Sequence, residues 1–218
     1  MAGPGFVFVG SPFTGPFAWS RVAALLRGQG ERVEVFGVDE PIAPPIVLVG
    51  HSGAGAQLPR IASRREGVHR AIYVDALLPH PGRSWAQTVP AEFVARLESQ
   101  AVDGMLPPWP QWWGDDAMRT LLPDDALRAA FVAACPRVPV AATHEVMPEV
   151  GEPPSTFVQL SALYAPETNA ARERGWPVRV LDLHHLALLT DPEPIAAVLG
   201  GVVTRDAAQS PARGEFDQ

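Results

Sequence analysis

The stretch Ile46-Val47-Leu48-Val49-Gly50-His51-Ser52-Gly53-Ala54-Gly55 decides the fold of this 218-residue chain. Its first four residues are all apolar, which is typical of a parallel strand that is covered on both faces. A turn over 50–55 follows, and the next residues predict a helix over 56–65. A serine between small residues at such a junction sits on a sharp, strained turn that exposes its hydroxyl above the sheet. We therefore predict that Ser52 is a nucleophile.

Apolar and amphipathic segments alternate on both sides of this stretch. The pattern predicts strands over 6–9, 32–38, 71–74, 156–160 and 178–181, and helices over 19–26, 167–174 and 192–199. Such alternation is typical of an α/β domain with a mostly parallel sheet. The link over 39–45 is too short for a crossover helix, so we expect a trimmed version of this architecture.

Residues 80–154 differ from the rest, because Pro, Trp and short helical patterns over 91–101 and 124–134 replace strands. We interpret this block as a helical cap inserted between two strands of the sheet. The predicted organisation is a single domain over 1–204, with its core in 1–79 and 155–204. Residues 205–218 are predicted to form a flexible tail.

Composition excludes several function classes. The net charge of −7 argues against nucleic acid as a partner. All 17 basic residues are arginine, which excludes Schiff-base lysines and P-loop lysines. No apolar run is long enough for a membrane span, and the N-terminus lacks a basic signal region, so we expect no membrane contact and a cytoplasmic location. Cys135, the single cysteine, is expected to be a small buried residue.

The motif Val47-Leu48-Val49-Gly50-His51-Ser52-Gly53-Ala54-Gly55 resembles the nucleophile elbow of the α/β-hydrolase superfamily, near the branch of plant hydroxynitrile lyases and methylesterases. The resemblance extends to Phe8-Val9-Gly10-Ser11 and to the segment from His184 to Pro192. Within the predicted cap, Pro107-Pro108-Trp109 and Trp112-Trp113 look like a bacterial subgroup of such hydrolases. The resemblance implies a trimmed α/β-hydrolase fold.

The resemblance also implies a histidine base late in the chain, after the last strand. His185 fits better than its neighbour His184, because in the related pattern a Leu-rich turn and a threonine follow the base, and Thr190 stands five residues on. His51, next to the serine, is expected to point to the other side of the turn. No histidine spacing is typical of a metal site, and we expect neither a metal nor another cofactor.

The acid of the triad is harder to place. The superfamily usually carries it after the strand predicted over 156–160, where no carboxylate occurs before Glu167. Some members carry it at the end of the strand before the cap, which is the position of Asp75. A carboxylate at the end of a central apolar strand is costly unless it is paired. Asp75 is therefore the leading candidate, with Glu145 second and Asp182 third.

Acyl transfer also needs two N–H donors for the oxyanion. The Gly53 N–H is expected to be one of them. The related pattern places Pro12 at or beside the second donor, and proline has no N–H. Three alternatives follow: Phe13 donates from a shifted loop, the Ser11 hydroxyl substitutes, or the hole is impaired.

Aromatic residues in the first loop and the cap predict a mostly apolar small-molecule substrate. They are Phe13, Phe17, Trp85, Trp109, Trp112 and Trp113. Arg83 or Arg119 could bind a carboxylate. The leading hypothesis is a serine hydrolase that acts on an ester, thioester or lactone. The alternatives are a non-hydrolytic lyase or cyclase, for example in natural-product biosynthesis, and an inactive binding protein. Oligomeric state is left open.

Overall fold

The computed structural model describes residues 3–209, with side chains as far as residue 202. In this part of the chain, six parallel strands form one sheet in the order β2-β1-β3-β4-β5-β6. The strands are β1 (Gly5–Val9), β2 (Val33–Val35), β3 (Ile46–Ser52), β4 (Val68–Ala76), β5 (Ser155–Gln159) and β6 (Val178–Val180). The mostly parallel sheet with helices that the sequence predicts is confirmed.

The helices flank this sheet and fill the connection between β4 and β5. They are α1 (Ser20–Gly28), α2 (Leu58–Ala62), α3 (Ala91–Ser99), α4 (Asp115–Leu121), α5 (Asp125–Ala134), α6 (Val140–Thr143), α7 (Ala165–Glu173), α8 (Ala187–Thr190) and α9 (Pro192–Gln209). Short 3-10 turns lie at Pro16–Trp19, Gly55–Gln57, Trp85–Gln87, Trp109–Trp112 and Ala162–Tyr164.

The sheet is covered on both faces, which explains why β3 is apolar before its turn and buried over its whole length. Alternate strand residues face opposite sides. On one face, side chains such as Phe8 and Val49 pack against α1, α8 and α9. On the other face, side chains such as Leu48 and Tyr73 pack against α2 and α7. The strand order places β3 between β1 and β4, so the loops after these three strands meet at one edge.

The segment between β4 and β5 contains α3 to α6 and has a hydrophobic core of its own. That core joins cap residues such as Trp109, Trp112 and Phe131 to Phe13 in the loop after β1. Leu186 and Leu189 belong to the same cluster. The helices therefore pack over the carboxyl edge of the sheet, where the predicted site residues lie.

Several predicted boundaries differ from the observed ones. The helix predicted over 56–65 is a 3-10 turn followed by the short helix α2. The closing helix continues beyond the predicted end at 199, as far as Gln209. Of the predicted flexible tail, residues 210–218 lie outside the described residues. No helix in the described part of the chain combines the length and the hydrophobicity that a membrane span requires.

Candidate active site

Ser52 is the last residue of β3 and has a left-handed backbone conformation, with φ of 57°. Three non-glycine residues among those described have a positive φ, and two of them are Ser52 and Asp75. Such conformations cost about 1–3 kcal/mol each and cluster at functional sites. The turn also requires a glycine at position 55, because a Cβ there would lie 2.1 Å from the Leu77 carbonyl oxygen. The sequence therefore folds the serine into the strained turn that its motif predicts.

Asp75 lies at the end of β4 and is completely buried. Its Oδ2 accepts a hydrogen bond from His185 Nδ1 at 2.8 Å and another from the Ser161 hydroxyl at 2.7 Å. Its Oδ1 accepts from the backbone N–H groups of Leu160 and Ser161 at 2.9 and 3.0 Å. Burial disfavours the charged form, but the hydrogen bonds from His185 and Ser161, with the charge of His185, outweigh it and hold the pKa of Asp75 below its usual value.

Ser161 explains how the acid can come from β4. It follows β5, where the related pattern usually carries a carboxylate, and its N–H and hydroxyl both reach across to Asp75. The usual acid position is therefore occupied by a residue that binds the acid from the neighbouring strand.

The His185 loop is fixed between two hydrophobic clusters. Ala187 and Leu188 pack into the cluster against the sheet, whereas Leu186 and Leu189 pack into the cap cluster. The imidazole contacts two other rings, with centroid distances of 4.4 Å to the tilted ring of His51 and 5.0 Å to the stacked ring of Tyr164. His185 is therefore held by its loop, by these two ring contacts and by the hydrogen bond from its Nδ1–H.

His51 packs against His185, a contact that the sequence interpretation did not foresee. Its ring packs on the His185 ring, and its Nε2–H donates to the His185 carbonyl oxygen at 2.9 Å. Burial, reinforced by the nearby charge of His185, lowers the pKa of His51 to about 3. His51 is therefore a neutral donor that holds the His185 backbone.

Tyr164 is a site residue that the sequence interpretation missed. Its ring is nearly parallel to that of His185, with an interplanar angle of 8°. Burial raises the pKa of Tyr164 well above its usual value, although a hydrogen bond with the Ser52 side chain opposes the shift. A protonated phenol at this place can donate to the serine oxygen. The signal in the sequence that could have identified Tyr164 is its place in the segment after β5, where the related pattern usually carries the acid.

In the described part of the chain the Ser52 hydroxyl forms no hydrogen bond with the His185 ring, whereas the bond from His185 to Asp75 is formed. Catalytic hydrogen bonds are often long or poorly aligned until substrate binds. The arrangement can thus support base catalysis once the serine hydroxyl turns toward His185 Nε2.

The first loop places Ser11 and Phe13 directly against Gly53. A Cβ on Gly53 would lie 3.1 Å from the Phe13 ring and 3.3 Å from the Ser11 hydroxyl oxygen. The Phe13 N–H donates to that same oxygen at 3.2 Å. The Phe13 N–H is therefore engaged within its own loop, and Ser11 presents a side-chain hydroxyl beside the Gly53 backbone.

The alternative base and acids have other partners or lie elsewhere. His184 contacts Thr190 Oγ1 at 2.9 Å, and Glu145 pairs with Arg60 at 3.2 Å. Asp182 is exposed. None of these three side chains contacts the His185 ring.

The predicted cap aromatics occupy different places. The Trp109 ring is buried, with its centroid 6.1 Å from that of His185. Trp113 is 47% exposed and contacts the rings of Phe93 and Trp109, and its predicted contact with a substrate stays a prediction. In the described part of the chain, no group of three or more His, Cys, Asp or Glu side chains could hold a metal ion.

A sequence profile of the alpha/beta hydrolase family matches residues 2–198. None of the curated proteins matches the sequence. Among solved structures, an extracellular alpha/beta-hydrolase from a Paenibacillus species is 18% identical with a TM-score of 0.69, covering 91% of this chain and 98% of its own.

Two further solved structures are similar. Tomato methylketone synthase I, complexed with 2-tridecanone, is 16% identical with a TM-score of 0.68, over 94% of this chain and 99% of its own. A pyrethroid hydrolase from Sphingobium faniae is 17% identical with a TM-score of 0.63, over 94% of this chain and 99% of its own. At these identities the likeness concerns the fold.

Proposed function

The chain belongs to the alpha/beta hydrolase family, and we propose that it is a serine hydrolase that cleaves an ester, thioester or lactone of a mostly apolar small molecule. The observation that carries the proposal is the 2.8 Å hydrogen bond between His185 and the completely buried carboxylate of Asp75, beside the strained turn of Ser52. The predicted cytoplasmic location stays a prediction, and a small-molecule substrate is the only partner that the proposal requires.

In the proposed reaction, Asp75 accepts from His185 Nδ1–H, which leaves the lone pair of Nε2 free to act as a base. His185 takes the hydroxyl proton while Ser52 Oγ attacks the substrate carbonyl carbon. The protonated imidazole then gives its proton to the leaving group, and an acyl-serine forms. Water, activated by the same imidazole, hydrolyses the acyl-serine and restores the serine hydroxyl.

The oxyanion is bound, in this proposal, by the Gly53 N–H and the Ser11 hydroxyl. The engaged Phe13 N–H argues against the alternative of a shifted loop. Because the Ser11 oxygen accepts from Phe13, its own proton is free to point at a ligand. The Ser11 oxygen would lie 3.3 Å from a Cβ atom placed on Gly53. This proximity supports Ser11 and Gly53 as the two donors.

One observation favours the second candidate, a non-hydrolytic lyase or cyclase. Pro12 has no N–H and the Phe13 N–H is engaged, so the first loop supplies no second backbone donor at these positions. In that reaction Ser52 and His185 would do acid–base work without a complete oxyanion hole. Tomato methylketone synthase I is a structural neighbour whose name is not that of a hydrolase.

The test is covalent labelling by a fluorophosphonate probe together with turnover of p-nitrophenyl esters. We expect labelling at Ser52, loss of both signals in Ser52→Ala, and a loss of turnover of about 10⁴-fold in Asp75→Asn. Asp182→Asn is the matched control, because the same change is made at an exposed aspartate. Folded protein that neither labels nor turns over esters would contradict the hydrolase and favour the lyase.

A further inference from the structure

A cavity of about 770 Å³ lies next to the predicted oxyanion donor. Gly53 and Phe13 line it, together with residues of α2 and its flanking turns and with cap residues such as Val138 and Met147. The size is in the range of small-molecule sites, which are clefts of about 300–1,000 Å³. The cavity therefore has the size of a substrate site and borders Gly53, whereas the Ser52 and His185 side chains lie beside it and do not line it.

Much of the cavity wall is apolar. Phe13 and Trp85 line it with ring centroids 4.9 Å apart, and Ile61, Val138 and Met147 add aliphatic or thioether surface. Such a wall binds hydrocarbon or ring groups through burial of apolar surface. The body of the ligand is therefore expected to be apolar.

Two polar side chains in the same cavity lack partners. Gln57 Oε1 and His80 Nε2 are buried atoms without a hydrogen-bond partner, and both residues line the cavity. The other ring nitrogen of His80 is fixed, since Nδ1 contacts the Arg83 carbonyl oxygen at 3.0 Å. A buried polar atom without a partner costs about 1–3 kcal/mol, so a ligand that hydrogen-bonds to these atoms would recover that cost.

Three arginines of one short segment also line the cavity, in a chain whose net charge is −7. Arg65 is fully engaged by both oxygens of the buried Glu34. Arg60 pairs across the cavity with the exposed Glu145 at 3.2 Å, which is the kind of pair that contributes little. Arg64 is exposed, and in the described part of the chain its guanidinium has no ion-pair partner.

We propose that this cavity binds a substrate with an apolar body and an anionic end, and that Arg64 binds the carboxylate or phosphate of that end. The proposal rests on the proposed function, since it places the scissile carbonyl near Gly53, which lines the cavity. Gln57 and His80 hydrogen-bond to polar groups along the substrate. An arginine fork suits both anions, because it presents paired N–H donors to two oxygens. Arg83 and Arg119, the cations suggested by sequence, do not line the cavity.

The test uses two matched pairs of substrates. The mono-p-nitrophenyl ester of glutaric acid is compared with p-nitrophenyl hexanoate, and hexanoyl-coenzyme A with the hexanoyl thioester of N-acetylcysteamine. The first pair detects a carboxylate on the acyl group, and the second detects a phosphate on the leaving group. We expect at least one anionic member to have a lower KM than its neutral partner, which identifies the source of the anion.

Arg64→Gln is expected to reduce that preference in KM about tenfold, as for the loss of a hydrogen bond to a charged group. Glu145→Gln removes a negative charge from the cavity, so the preference in KM for the anionic substrate should increase about threefold. Arg21→Gln, at an exposed arginine of α1, is the matched control and should leave it unchanged. An anionic preference that is absent, or that is unaffected by Arg64→Gln, overturns the proposal.

Direct binding separates this proposal from the hydrolase. Calorimetric titration of Ser52→Ala with the glutarate ester and with coenzyme A needs no turnover. If wild-type protein hydrolyses no ester but an anionic ligand binds in an Arg64-dependent manner, the proposed anion site is supported and the proposed hydrolase function is refuted. If esters are hydrolysed and the affinity for neither ligand depends on Arg64, the proposed hydrolase function is supported and the proposed anion site is refuted.

Discussion

The buried neutral state of His51 predicts a measurable dependence of folding stability on pH. The pKa of His51 is about 3 in the folded protein, against 6.5 for an ordinary histidine. The unfolded chain therefore binds more protons than the folded chain between these two values, and stability must fall as the pH falls below about 6.5. Replacing His51 with glutamine removes this titration and keeps a side-chain N–H that can donate to the His185 carbonyl oxygen.

The magnitude follows from the two pKa values. Each pH unit below 6.5 weakens the folded state by about 1.36 kcal/mol for one proton. Between about pH 7.5 and pH 5 the titration of His51 thus removes about 2 kcal/mol of the free energy of unfolding. Because the folded pKa lies well below pH 5, this figure changes little if the folded pKa differs by one unit.

The assay is urea unfolding at pH 7.5, 6 and 5, followed by tryptophan fluorescence, for which the sequence has six tryptophans. We expect the loss of stability between pH 7.5 and 5 to be about 2 kcal/mol smaller in His51→Gln than in wild type. A constant difference between the two proteins cancels in this comparison. His69→Gln, at an exposed histidine of β4, is the matched control and should follow the wild-type profile. A His51→Gln profile as steep as that of wild type would refute a buried neutral His51.

Four further changes test other parts of the structure. Ser11→Ala should lower kcat by about 10²–10³-fold if its hydroxyl binds the oxyanion, and Ser11→Thr should restore most of the rate in a p-nitrophenyl ester assay. Tyr164→Phe keeps the stacked ring and removes one neutral hydrogen bond, so kcat/KM should fall about fivefold and Tm should fall by no more than about 2–4 °C. Gly55→Ala places a methyl group against the backbone, so the free energy of unfolding measured in urea should fall by about 1–3 kcal/mol or more. Gly28→Ala is the control and should not lower it, because the space around Gly28 is open. Burial raises the pKa of the Cys135 thiol to about 12, so Ellman's reagent should react with it only after unfolding, and rapid reaction of native protein would contradict this.

The position of the site along the chain could be predicted because it depends on local chemistry. An apolar run followed by a serine among small residues has few folded solutions, since only small residues leave room at the turn. The requirement is visible at Gly55, whose hydrogen points at a backbone carbonyl oxygen. The alternation of strands and helices was predictable for a similar reason, because periodicity reflects which faces are buried. Boundaries such as the end of α2 were less predictable, since tertiary packing decides where a helix stops.

The residues around Ser52 were predictable only in part, because their roles depend on contacts between distant segments. Asp75 and His185 lie 110 residues apart, and their pairing depends on the adjacency of β4 and β5, which brings Ser161 to the carboxylate. Local pattern could propose Asp75 but could not show that its charge is compensated.

What the sequence by itself determined is the strand–turn–helix at Ser52 and the order of elements around it, since both follow from steric and burial rules that act over a few residues. What only the tertiary structure decided is which side chains surround the serine. His51 lies against the His185 ring, and the Tyr164 ring stacks on it as well. Arg64 lines a cavity and, among the described residues, has no ion-pair partner. These contacts depend on how the loops after β3, β5 and β6 pack together above the sheet, and the spacing of residues along the chain does not predict that packing.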